Sequence, residues 1–219
     1  WSSDVCSSDL NDRLAFCRAG LKRVFCIPNM ISITPRTYKG QDSKRIISVG
    51  RLTAQKGYDL LLRALAIIGD KMAGYQVEIY GEGEERAALE AQCQQMGLSE
   101  RVHFCGYSTS IETVYASSAF YVMSSRFEGF PMVLLEAAAS GLPIVSFDCP
   151  EGPAVMLREG GGLLVPKEKI SALAEAILRM MTDSDLRRLC HEQSARIVAP
   201  YMPQKIATQW EQLIEELRK

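Results

Sequence analysis

Histidine is nearly missing from this chain. Its 219 residues include only His103 and His191, and its cysteines form no Cys-x-x-Cys pair. Metal-ligand spacing is therefore absent, and no bound metal or other cofactor is expected. The seven cysteines (Cys6, Cys17, Cys26, Cys93, Cys105, Cys149 and Cys190) are odd in number. Most sit in apolar settings, which predicts reduced core thiols and a cytoplasmic protein. An excess of one charge is also missing. Lys and Arg total 25 against 26 Asp and Glu, a formal net charge of −1. No basic tract argues for nucleic acid. Long apolar runs are lacking too, and none reaches the roughly 20 residues of a membrane-spanning helix. Peripheral contact with a membrane surface stays open.

What is present is an ordinary globular composition, 47% hydrophobic and 23% charged. Apolar strand-like runs alternate with helix-like segments about six times. The strands are expected at Lys44–Gly50, Tyr75–Tyr80, Val102–Cys105, Ala119–Met123, Ile144–Phe147 and Gly162–Val165. Helices are expected between the first five of them, and again at Ile170–Met181, Asp185–Ile197 and Gln204–Leu217. The alternation predicts an α/β fold: a Rossmann-like, doubly wound, mainly parallel sheet. On the Ile170–Met181 helix the apolar face is read as Leu173, Ile177, Leu178 and Met181. On the last helix it is read as Ile206, Trp210, Leu213, Ile214 and Leu217.

The most informative stretch runs from Ser125 to Pro143. Gly129 and Pro131 break the chain after a strand. Met132–Ser140 then reads as a helix closed by Gly141 and Pro143. Backbone N–H groups of Phe130, Met132 and Val133 are expected free at the helix start, a setting that suits a phosphate. Pro131 has no N–H to lose there. Glu128 lies on the loop and Glu136 one turn into the helix. A carboxylate repels phosphate but accepts hydrogen bonds from sugar hydroxyls. The pattern points to a phosphorylated sugar or a nucleotide. On spacing alone, two solvent-facing glutamates explain it about as well.

A second candidate follows the first well-formed strand. Gly50 and Arg51 stand at its carboxyl end, where ligands of doubly wound sheets collect, and Lys56 follows five residues on. The two cations can converge on one anion and stabilise charge on a departing diphosphate. A bare Arg–Lys pair is more often simple surface charge. Tyr107, after the third strand, could stack on a base. His103 is read as structural, and Glu151 as a loop residue able to line a site. The Gly81–Gly83 and Gly160–Gly162 runs meet neither the dinucleotide nor the P-loop pattern.

The termini read differently. Residues 1–10 nearly repeat Ser-Ser-Asp, resemble translated sequencing-adaptor read-through, and are set aside from fold reasoning. Residues 11–43 read as the remnant of a preceding domain and a linker, with Arg23–Ile27 as its last strand. Residues 44–200 form the main domain and 201–219 a terminal crossover helix.

Together, Gly-Arg-Leu-Thr-Ala-Gln-Lys-Gly at 50–57 and the two glutamates with seven residues between them closely resemble family 4 glycosyltransferases of GT-B fold. The resemblance covers nearly all of residues 23–219 and corresponds to the C-terminal, donor-binding half. It implies transfer of a sugar, with retention, from a nucleotide-sugar (mostly UDP) to an acceptor hydroxyl, without a metal. It places Arg51 and Lys56 on the diphosphate, Glu128 beside the donor sugar and Glu136 on the ribose. Gly50, Tyr107, Gly129, Phe130, Pro131, Met132 and Val133 complete the expected donor contacts, with Glu128, Arg51 and Lys56 as the catalytic set. The acceptor, a glycan or lipid-linked glycan, would be held by an N-terminal half. This piece alone is then expected to bind donor without turnover. A nucleotide-sugar epimerase, a glycan phosphorylase of the same fold and a non-catalytic nucleotide-binding module remain alternatives.

Overall fold

The structure is a computed structural model. It describes all residues except 1–3, 8–15, 22, 32, 34–36, 73, 150–151 and 219, and only the backbone of 4–7. Glu151 therefore lies outside the described residues.

The main sheet has six strands: β3 (Arg45–Val49), β4 (Gln76–Tyr80), β5 (Val102–Gly106), β6 (Phe120–Met123), β7 (Ile144–Asp148) and β8 (Gly162–Pro166). Their order across the sheet is β5-β4-β3-β6-β7-β8, and every neighbouring pair is parallel. The chain winds outward from β3 on one side, then returns and winds outward from β6 on the other. The order reverses between β3 and β6, and the carboxyl ends of those two strands flank the crevice where such sheets bind ligands.

Strand periodicity explains the double covering. Ile46 and Ile47 are both fully buried, but on opposite faces. Ile46 joins one core with helices α1 (Tyr58–Ile68) and α6 (Ile170–Thr182). Ile47 joins the other with α4 (Met132–Ala139) and α7 (Ser184–Val198). Between these lie α2 (Arg86–Gln95), α3 (Ile111–Ser117) and α5 (Pro153–Met156), and α8 (Pro203–Leu217) ends the chain. All four residues of β6 are buried, as expected of a central parallel strand.

Several expectations change in detail. On α6 the fully buried side chains are Leu173, Ile177 and Met180, and Leu178 is only partly buried. Residues at i, i+4 and i+7 share a face more closely than the stripe first read. Pro153–Met156 is a helical turn between β7 and β8, with Pro153 at its first position. On α8, Ile206 and Leu213 are buried against Ile27, while Trp210, Ile214 and Leu217 stay exposed. Among the cysteines, Cys93, Cys149 and Cys190 are buried but Cys17 and Cys105 are exposed.

Asp4–Ser7, set aside above, forms strand β1 and pairs in parallel with β2 (Arg23–Cys26) in a separate two-stranded sheet. The linker is anchored to the main domain. Tyr38 donates to the Ala119 carbonyl at 2.8 Å, and the Lys39 N–H to that of Ala116 at 2.7 Å.

Candidate functional site

Two loops build the centre of the site. One leaves β3 through Gly50 and Arg51, makes a short 3-10 turn at Ala54–Lys56 and enters α1. The other leaves β6 through Ser124 and Ser125 and enters α4. They meet at the point where the strand order reverses. Lys56 Nζ lies 2.8 Å from Glu128 Oε1 and 3.0 Å from Oε2. Ser125 Oγ donates to the same Oε1 at 2.5 Å. Glu128 is only 7% exposed. A carboxylate so enclosed needs its charge balanced and its lone pairs met; Lys56 supplies the charge, and with Ser125 it occupies three of the about four acceptor sites.

Further bonds tie the two loops. Ser124 Oγ donates to the Lys56 carbonyl at 3.0 Å, and the Arg126 N–H to that of Gln55 at 2.8 Å. Gln55 Nε2 donates to the Phe127 carbonyl at 3.0 Å. The Arg126 guanidinium takes both oxygens of Asp59 at 2.8 Å and the Ala54 carbonyl at 2.7 Å. Burial pushes the Asp59 carboxyl upward, but the hydrogen bonds and charge of Arg126 outweigh it and hold the group below the usual range.

The start of α4 differs from expectation. Pro131 sits at φ −77° and ψ 80°, close to an inverse γ-turn, and the Met132 N–H bonds back to the Phe130 carbonyl at 2.9 Å. Met132 is thus not one of the free donors. Among the described residues the N–H groups of Phe130 and Val133 carry no hydrogen bond. The Phe130 ring turns away to pack edge-on against Tyr201, centroids 5.3 Å apart. Pro131 is buried and Gly129 exposed.

Beside these loops, at the carboxyl ends of β3, β4 and β5, opens a cleft of about 400 Å³. Gly50, Arg51, Tyr80, Gly106 and Tyr107 line it. Gly50 matters for access: a Cβ there would lie 3.0 Å from the Tyr58 hydroxyl and 3.3 Å from the Lys56 chain. Gly50 is therefore where the cleft adjoins Lys56. Arg51 is exposed, and its side chain makes no hydrogen bond or ion pair among the described residues. The Tyr107 ring is 82% exposed.

Glu136 is half-buried, and Tyr115 donates to its Oε2 at 3.3 Å. Tyr58, Tyr115 and Tyr121 lie buried beneath the site. Burial, reinforced by neighbouring acidic groups, pushes their phenols well above the ordinary value, so they stay neutral donors. Cys149, at the end of β7, is pushed up to about 12 by burial and by the nearby Glu128 charge, and so is a packing residue, not a nucleophile. Among the described residues no three His, Cys, Asp or Glu side chains come together as a metal set. Among them too, no helix is long and apolar enough to cross a membrane.

Residues 32–215 match the family described as "Glycosyl transferases group 1". The chain belongs to this family. It is 36% identical over 201 residues to an exopolysaccharide phosphotransferase of Streptomyces coelicolor, covering 89% of this chain and 21% of that protein. It is 31% identical over 170 residues to the amylovoran biosynthesis glycosyltransferase AmsD of Erwinia amylovora, covering 78% of this chain and 48% of that one. This group 1 domain thus spans half or less of those two relatives. Its fold matches the pneumococcal O-GlcNAc transferase GtfA, solved with UDP and GlcNAc, at a TM-score of 0.85 and 22% identity over 97% of this chain and 44% of that one. The fold is thereby that of GT-B glycosyltransferases.

The structure brings Lys56 to Glu128, and Gly50, Arg51 and Tyr107 to one cleft. Glu136 stands on α4 with Tyr115. Sequence reasoning passed over Ser125, Asp59, Arg126 and Tyr115. Ser125, three residues before Glu128, had a local signal, because a serine commonly bonds to a group a few residues on. Asp59 and Arg126, 67 residues apart, had none.

Proposed function

We propose that this domain is the donor-binding half of a retaining family 4 glycosyltransferase that uses a UDP-sugar. The observation that carries this reading is the Lys56–Glu128 pair at the switch point, beside a cleft that opens at Gly50. Lys56 and Arg51, with the N–H groups of Phe130 and Val133, take the diphosphate. Glu128 accepts from hydroxyls of the transferred sugar, and Glu136 from those of the ribose. Tyr107 stacks on the base at the far side of the cleft.

The chemistry follows from this placement. The anomeric C1–O bond to the diphosphate breaks while a C1–O bond to the acceptor forms on the same face. The acceptor proton passes to the departing phosphate oxygen, so the domain needs no general base of its own. Cations held at the diphosphate stabilise the charge that develops there. The acceptor, a glycan or lipid-linked glycan, is bound by a second half. The 219-residue chain alone binds donor and does not turn over.

The deciding experiment is calorimetric titration of UDP, GDP and ADP into this chain, with Arg51→Ala and Glu136→Ala as controls. Saturable binding of UDP, weakened by both substitutions, is the expected result. No binding of any of the three overturns the reading.

A further inference from the structure

Lys56 and Glu128 come from loops 72 residues apart, and something must set their separation. The Arg126 N–H to Gln55 carbonyl bond joins the two backbones, but it does not fix where the side chains of Lys56 and Glu128 reach. The contact best able to set their spacing is one that neither group makes. Arg126 stands two residues before Glu128 and Asp59 three after Lys56. Their guanidinium and carboxylate meet fork to fork, with both distances 2.8 Å. Such a bidentate pair fixes direction as well as distance. The same Arg126 Nη1 reaches the Ala54 carbonyl, so one planar group spans the 3-10 turn that carries Lys56.

Asp59 is itself immobilised. It sits in the first turn of α1, where a negative charge is favoured. Its carbonyl accepts from Gln92 Nε2 of α2 at 3.2 Å. Arg126 is therefore tethered to a packed helix pair. Both side chains keep about a quarter of their surface exposed, at 26% and 29%. The pair is thus partly buried and bidentate, so it supports stability as well as placement.

We propose that Asp59 and Arg126 are positioning residues that hold the Lys56 ammonium against Glu128, acting through the two loops and touching no donor. The consequence for turnover rests on the donor-site reading above; the geometry does not. Misplacing a catalytic group by about 1 Å can lower rates by about a hundredfold.

The test reads Lys56 directly. Amine acylation of the intact chain is followed by mass spectrometry at Lys56, with the exposed Lys39 and Lys205 as internal controls. The variants are Asp59→Asn and Arg126→Lys; the second keeps the charge but loses the fork. The expected result is a several-fold rise in Lys56 labelling, confined to that site, with Lys39 and Lys205 unchanged. A double variant, Asp59→Arg with Arg126→Asp, restores the pair with its charges exchanged and brings labelling back toward the wild-type rate. Unchanged Lys56 labelling in both single variants overturns the proposal. A matching rise in alkylation of the buried Cys93 and Cys190 also overturns it, because it assigns the pair to overall stability. Protection of Lys56 by UDP in the wild type is a separate arm. Its absence counts against the donor-site reading and leaves the positioning result intact.

Discussion

A Cβ added to Gly57 would lie 2.1 Å from the carbonyl oxygen of Ser124. The loops after β3 and β6 are thus in backbone contact at the reversal of the strand order. Gly57 is also left-handed, at φ 65°. It serves at once as the cap of the 3-10 turn and the start of α1. Only glycine meets both demands without strain.

Gly57→Ala tests this directly. The left-handed backbone and the clash together predict a loss of about 2–4 kcal/mol, summed from conformational and overpacking terms. Urea unfolding of the two proteins measures it. Gly97→Ala is the control, because glycine there has nearly the same φ, 68°, but nothing lies within 4 Å of its Cβ position. Equal effects of the two substitutions would refute the close-contact argument.

The Lys56–Glu128 pair predicts an asymmetry. The Glu128 side chain is 6% exposed and that of Lys56 18%. Lys56→Ala strands a buried carboxylate, and breaking such a pair costs about 3–5 kcal/mol. Glu128→Gln leaves a lysine that can reach water along its flexible stem, so it costs less. The double substitution Lys56→Ala with Glu128→Gln should be more stable than Lys56→Ala alone. Denaturant midpoints of the three variants check the order. A Lys56→Ala protein as stable as wild type would show that the pair contributes nothing.

What the sequence made legible was local. Strand runs such as Ile46–Val49 and helices such as Ile111–Ser117 carry their own periodicity and stop signals, and the structure has them within a residue or two. The loops at the ends of β3 and β6 were legible as well, because glycine, proline and charge mark them. What joins those loops was not. Asp59 and Arg126 meet only because parallel strands β3 and β6 lie side by side. No period or spacing encodes such a meeting. The turn at Pro131 was hidden for another reason. Proline fixes φ but leaves ψ open, and ψ decides whether the Met132 N–H faces a ligand or its own chain.

Alkali should destabilise the fold steeply. Burial raises Cys149 to about 12 and Cys190 to about 11, from an ordinary value of 9.0. Both groups are folded as neutral thiols. Below pH 9.0 both states hold the proton and the stabilising contribution is complete. Above it the unfolded chain loses protons that the native chain keeps, so stability falls with rising pH by about 1.4 kcal/mol per unit for each thiol. The loss ends for each group as pH passes its folded value. Urea midpoints at pH 8, 9 and 10 in the presence of reductant measure the slope, to which the buried tyrosines add above their own ordinary value of 10.0. Cys149→Ala should flatten it. A midpoint independent of pH across that range would contradict the burial of both thiols.

Glu136 offers the sharpest functional test. If its carboxylate accepts from the ribose hydroxyls, the domain must prefer UDP to 2′-deoxy-UDP. Loss of one hydrogen bond to a charged acceptor corresponds to about 1.5–3 kcal/mol, or roughly 10–100-fold in affinity. Glu136→Ala should weaken UDP more than 2′-deoxy-UDP, which has only its 3′-hydroxyl bond to lose, so that the two nucleotides then bind alike. Tyr115→Phe removes only the 3.3 Å bond that steadies Glu136, so it should narrow the preference without abolishing it. Titration of both nucleotides against the three proteins gives the ratios. A preference that survives Glu136→Ala at full size would move ribose recognition to another residue, even with nucleotide binding intact.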